Sequence, residues 1–155
     1  MATLTITHTE SLLLGDGSGT DRGTTNVQTL TVSEVSHRIS TVPTVGLIPF
    51  IKFGPMPGAG IYEDGEVKYL RITNLDATNF ITAKIQMADS EYFVKLEAEG
   101  SDEGSNTFIL GPTLMDAHED GDSGVNVAPT LANIDVISLQ SDTAECKAEI
   151  FVAIT

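Results

Sequence analysis

The chain has 155 residues, 41% of them hydrophobic and 19% charged, with 22 acidic against 8 basic side chains and a formal net charge of −14. That length supports one domain with a real core, expected over residues 1–155, and that hydrophobic content excludes a disordered chain. The charge speaks against binding nucleic acid, because phosphate neutralisation by Lys and Arg supplies most of that affinity.

Residues 2–14 read as a first strand. Leu4 and Ile6 alternate with Thr3, Thr5 and Thr7, and Thr-rich alternation suits a pleated, half-buried surface. The opening residues carry no basic stretch followed by an apolar one, so no signal peptide is expected. A glycine-, aspartate- and threonine-rich loop follows at 15–26. Residues 1–26 together form a candidate N-terminal assembly arm and loop.

Residues 27–42 alternate over a long run. Leu30 and Val32 share one parity, Val35 and Ile39 the other, which predicts a strand with a bulge or bend near Ser33 and Glu34, against a helix reading in which Val32, Val35 and Ile39 are spaced three and four apart. Residues 47–53 suggest a short edge strand, since Pro49 is tolerated only at an edge or a bulge. The Pro/Gly loop at 54–60 carries Met56 and suits a contact surface. No apolar run approaches the roughly 20 residues of a membrane span, so no membrane association is expected.

Residues 67–96 hold three alternating runs separated by short polar turns, which predicts a three-stranded antiparallel meander. Ile81, Ala83, Ile85 and Met87 share one face of its second strand; Tyr92, Val94 and Leu96 share one face of the third. An acidic turn covers 97–106, and 107–110 reads as a short strand. Residues 134–139 and 144–154 are the last strands, with Cys146, Ala148, Ile150, Val152 and Ile154 facing the core. The lone Cys146 allows no intrachain disulfide and reads as a small buried hydrophobe, and the lack of disulfides points to assembly in a reducing compartment. The sum is an all-β chain of eight to ten strands, an antiparallel, jelly-roll-like β-sandwich, with a β-barrel as the alternative.

The best candidate for ligand chemistry is the acidic loop at 113–130. Asp116, Glu119, Asp120 and Asp122 lie close together beside Gly121 and Gly124, and hard cations such as Ca²⁺ take oxygens from loops of this kind. The spacing is not that of an EF-hand, so the metal reading is a Ca-like loop set against a plain solvated one. His8, His37 and His118 are far apart and form no zinc spacing. Gly121-Asp-Ser-Gly124 superficially matches the surroundings of a serine nucleophile, but a triad would need a His and an Asp from elsewhere and an oxyanion hole, and the flanks are a hydrophilic acidic loop. No resident cofactor is expected, and no enzymatic activity.

Tyr69-Leu-Arg-Ile-Thr-Asn-Leu-Asp-Ala-Thr-Asn-Phe80, Glu91-Tyr-Phe-Val-Lys-Leu-Glu97 and Leu131-Ala-Asn-Ile-Asp-Val-Ile-Ser138 resemble small virion structural proteins of tailed bacteriophages, particularly those of marine and cyanobacterial hosts. The resemblance spans roughly residues 65–155 and carries no catalytic signature. It implies a β-sandwich assembled in many copies on a particle, such as a capsid decoration (cement) protein. Its partners would be the major capsid protein or other virion proteins, and it would form a homo-oligomer, a trimer or a dimer. Its location would be the virion, assembled in the host cytoplasm. The alternative is a tail- or fibre-associated module binding host-surface glycans.

Overall fold

The computed structural model describes residues 1–11, 23–56, 58, 60–63, 65–87, 90–111 and 134–155. Among them are eleven strands and no helix: β1 (Ala2–Glu10), β2 (Thr24–Val32), β3 (Glu34–Val42), β4 (Ile48–Gly54), β5 (Ile61–Glu63), β6 (Val67–Asn74), β7 (Ile81–Gln86), β8 (Glu91–Leu96), β9 (Thr107–Leu110), β10 (Val136–Ser141) and β11 (Cys146–Ile154). The protein is all-β, as its period-two patterning predicts.

Two sheets face each other. One runs β5-β4-β10-β7-β8, the other β3-β11-β6-β9, and neither closes on itself, so the barrel alternative is not met. Their inner faces share one apolar core. Ile51, Ile81, Ala83, Leu96, Ile137 and Leu139 come from the larger sheet; Val42, Leu70, Ile72, Cys146, Ala148, Ile150 and Val152 come from the smaller. This is sandwich packing, with alternate residues of each strand turned inward. β11 shows it most plainly, since its even-numbered residues enter the core and its neighbours face outward.

The pairings nest. β3 pairs with β11, β4 with β10, β6 with β9, and β7 with β8, all antiparallel. β11 then joins β6, and β10 joins β7. Successive strands therefore pass between sheets, and this corrects the meander expected over 67–96. β7 and β8 do form a hairpin, but β6 lies in the opposite sheet. The corner is made by Asn74, which is fully buried. Its Nδ2 donates to the carbonyls of Asn79, Leu96 and Glu97, and its Oδ1 accepts from the Asp76 amide.

Two further differences have local causes. β4 is an edge strand only in its first half, since the short parallel strand β5 pairs with it from Lys52 to Gly54 alone. Pro49 fits there because the β4–β10 register shifts beside it, pairing Ser138 with Pro49 and Ile137 with Ile51. Simple alternation would put Val67 on the Tyr69 side, but it faces the core, because the β6–β11 register shifts between Ala153 and Ile154.

Candidate functional site

β1 and β2 form a separate two-stranded ribbon, in register from Ala2 opposite Val32 to Glu10 opposite Thr24. The expected bend falls at Ser33, the single residue between β2 and β3. One ribbon face opposes Thr3 to Thr31, Thr5 to Thr29 and Thr9 to Thr25, with Val27 opposite Thr7. The other carries Leu4, Ile6, Leu30 and Val32, which pack on Tyr69, Ile109, Phe151 and Ala153. These are outward residues of β6, β9 and β11. The ribbon thus forms a third, partial layer over the smaller sheet. The arm expected at 1–26 has its β1 portion paired within its own chain.

A cleft of about 520 Å³ runs between β1 and this sheet face, lined by Ile6, His8, Tyr69, Arg71, Glu149 and Phe151 among others. The sheet face beside it is a polar network joining three strands. Glu149 on β11 accepts from Arg71 on β6 through Oε2 and bonds His37 on β3 through Oε1, each at 2.7 Å. The Phe151 ring packs against Arg71, His37 and Tyr69: Arg71 lies 5.7 Å from its centroid, His37 at 5.9 Å, and Tyr69 meets it edge-on at 6.0 Å. Burial pushes the Tyr69 phenol above its ordinary pKa, opposed by the nearby Arg71 charge. The network combines an Arg–carboxylate ion pair, a His–carboxylate hydrogen bond and ring contacts, with the buried Arg71 Nε left without a hydrogen-bond partner.

His8 lines the cleft and His37 belongs to the network beside it, so two of the three histidines meet on one side of the molecule. Residues far apart in sequence meet here because β3 and β6 flank β11, which no sequence spacing reveals. The other expectations fall elsewhere. Asp116, Glu119, Asp120, Asp122, His118 and Gly121 to Gly124 lie outside the described residues, as does most of the 15–26 loop. Among the described residues no group of three or more His, Cys, Asp or Glu side chains is placed to hold a metal ion.

Cys146 is fully buried in the core, as its alternating position predicts. Burial raises its thiol pKa above the ordinary value, and Ser141 Oγ lies 2.8 Å from its sulfur. A buried, protonated thiol is a poor nucleophile.

Apolar side chains are also exposed at the margins of the sheets. They include Val45 in the β3–β4 connection, Met56 just after β4, and Tyr92 and Phe93 on the edge strand β8. Among the described residues no helix is long and apolar enough to cross a membrane. Comparison of the chain with protein-family models, curated proteins and solved structures finds no match.

Proposed function

We propose that this chain is a structural protein of a tailed-bacteriophage particle, a capsid decoration (cement) protein that binds the shell and stabilises it. The observation that carries the reading is the nested strand pairing β3–β11, β4–β10, β6–β9 and β7–β8. We read it as jelly-roll wiring, an architecture used by viral shell proteins and also by lectins and cupins. Architecture alone does not assign function. Among those uses, the resemblance of residues 65–155 to phage virion proteins favours the particle.

The surface supports the same reading. A net charge of −14 opposes indiscriminate self-association of free copies. Aromatic side chains standing on an edge strand, as Tyr92 and Phe93 do at 54% and 57% exposure, are the kind of group a docked partner covers. The partner would be the major capsid protein or another virion protein.

The alternative, a tail- or fibre-associated module binding host glycans, is favoured by one observation. The cleft beneath the ribbon combines an aromatic ring, Phe151, with the hydrogen-bonding groups of Arg71, Glu149 and Thr73. Sugars are commonly held between such ring and polar contacts.

Rebinding to particles separates the two. Purified protein is mixed with virions depleted of it, and bound copies and the temperature of genome release are measured. Saturable binding that raises the release temperature supports the decoration reading. Absence of binding to intact particles sinks it, and glycan-array binding without particle binding moves the assignment to the alternative.

A further inference from the structure

The ribbon β1–β2 is the least integrated part of the fold. Its ladder bonds are internal, and neither strand joins either packed sheet. It is held to the sandwich by side chains, with Ile6 and Val32 buried and Leu4 and Leu30 partly so. Among the described residues, two buried side-chain atoms lack a hydrogen-bond partner, and both belong to this region. They are Gln28 Oε1 on the ribbon and Arg71 Nε in the face beneath it. A buried polar atom without a partner works against the state that buries it. The seat is therefore a weak lock.

The link to the sandwich is equally slight. Val32 ends β2 and Glu34 begins β3, with Ser33 alone between them. The Ser33 amide donates to the Ile154 carbonyl at 2.8 Å, and its hydroxyl donates to the same oxygen at 3.3 Å. Swinging the ribbon about Ser33 breaks no ladder bond within either packed sheet.

We propose that the ribbon is exchanged between two copies of this chain. It opens at Ser33 and seats on the outer face of the four-stranded sheet of a second copy, which seats its own ribbon in return. The occupant follows from the seat itself: this ribbon already fits this face, and a second copy carries the same face. Exchange rebuilds each contact between chains that the closed form makes within one. It also adds contacts that the closed form lacks. β3 is an edge strand beginning at the crossing point, so two copies crossing there bring two free strand edges together. Val35 and Ile39 lie on the outer face of β3 at 43% and 61% exposure, where a crossing partner covers them. Charge acts in the other direction, since each copy carries −14, so the exchanged dimer gains population as salt screens that repulsion. The inference needs only a second copy, so it stands or falls separately from the virion assignment.

The test is a covalent link between ribbon and seat in the full-length chain. His8 and Ile109 line one cavity from opposite sides of this junction. A variant with His8→Cys, Ile109→Cys and Cys146→Ala is incubated at high protein concentration and moderate salt, then joined with a short bis-maleimide. Exchange yields covalently linked dimers on a denaturing gel, rising with concentration and salt. Only internally linked monomers at every concentration and salt overturn the proposal. Light scattering on the otherwise native chain gives a second reading. A four-residue Gly/Ser insertion after Ser33 relaxes the junction and converts exchanged dimers to closed monomers. A dimer that survives the insertion is held by some other surface, and that result also overturns exchange.

Discussion

The side-chain amide of Asn74 donates to the carbonyl oxygen of Asn79 at 2.8 Å, across the turn where the chain leaves one sheet for the other. The same amide reaches the carbonyls of Leu96 at 3.3 Å and Glu97 at 2.9 Å. One fully buried polar group therefore ties the end of β6 to the start of β7 and the end of β8. Replacing it by Asn74→Leu keeps the γ-branched shape, adds the bulk of two methyl groups and leaves those carbonyls without their donor. Each stranded buried group costs about 1–3 kcal/mol, so a loss of roughly 3 kcal/mol or more is expected in urea unfolding. A variant within about 1 kcal/mol of the native chain would show that the corner is held by packing alone.

Asp76 sits in the same turn, and its Oδ1 accepts the amides of Asn79 at 2.7 Å and Thr78 at 2.9 Å. Those two bonds, the Asn79 amide first, hold its carboxyl below the ordinary carboxylate pKa of 3.8. A carboxyl with a depressed folded-state pKa adds stability above its unfolded pKa and loses it as pH falls through the folded value. The native chain should therefore lose stability below about pH 4. Asp76→Asn should flatten that limb and lower stability near pH 7 by about the amount the native chain loses on acidification, because a neutral amide oxygen accepts more weakly than a carboxylate. Thermal melts of both proteins from pH 2 to pH 7 check this, and parallel curves would refute a role for the Asp76 charge.

The strands were legible because alternation survives in nearly all of them. The faces of β7, β8 and β11 follow from parity alone, since Ile81, Ala83, Ile85, Leu96, Ala148, Ile150 and Val152 are all in the core. Partnership was not legible. Alternation reports which side of a strand is buried but not which sheet it joins, and consecutive strands usually pair. The clue to the crossing was Asn74, whose burial is no different in sequence from an ordinary turn asparagine. The Arg71–Glu149–His37 network was invisible for the same reason, because its members come from β6, β11 and β3. The two shifts of register, beside Pro49 and Val67, depend on partner strands that the local sequence does not name.

Gly111 ends β9 with φ of 77°, and a Cβ built on it would lie 2.5 Å from the Lys68 carbonyl oxygen. Gly46 has nearly the same φ, 76°, but open space around it. The pair separates two costs of adding a methyl group. Gly46→Ala meets only the left-handed backbone penalty, about 1–2 kcal/mol. Gly111→Ala meets that penalty and must also displace β6 backbone, so it should cost at least about 1 kcal/mol more. Equal losses in chemical denaturation would mean that β9 shifts freely along β6.

Arg71 and Glu149 make a 2.7 Å ion pair with side-chain exposures of 35% and 22%, so neither full screening nor full burial describes it. Glu149 also holds His37 on the far side, while Arg71 leaves its buried Nε without a partner. The two ends of the pair should therefore respond differently to removal. Glu149→Gln strips the charge facing two basic groups and should cost about 1 kcal/mol, less at high salt. Arg71→Met removes the unpaired Nε along with the charge and sets an apolar chain against Phe151. It also leaves the largely buried Glu149 carboxylate with His37 as its remaining partner, so it should cost about 2 kcal/mol, more than Glu149→Gln, because removing one member of a desolvated pair strands the other charge. Urea midpoints at low and high salt, with unchanged m-values, measure both. If Arg71→Met is neutral or stabilising, the unpaired Nε outweighs the ion pair and the guanidinium is a net liability to the sheet.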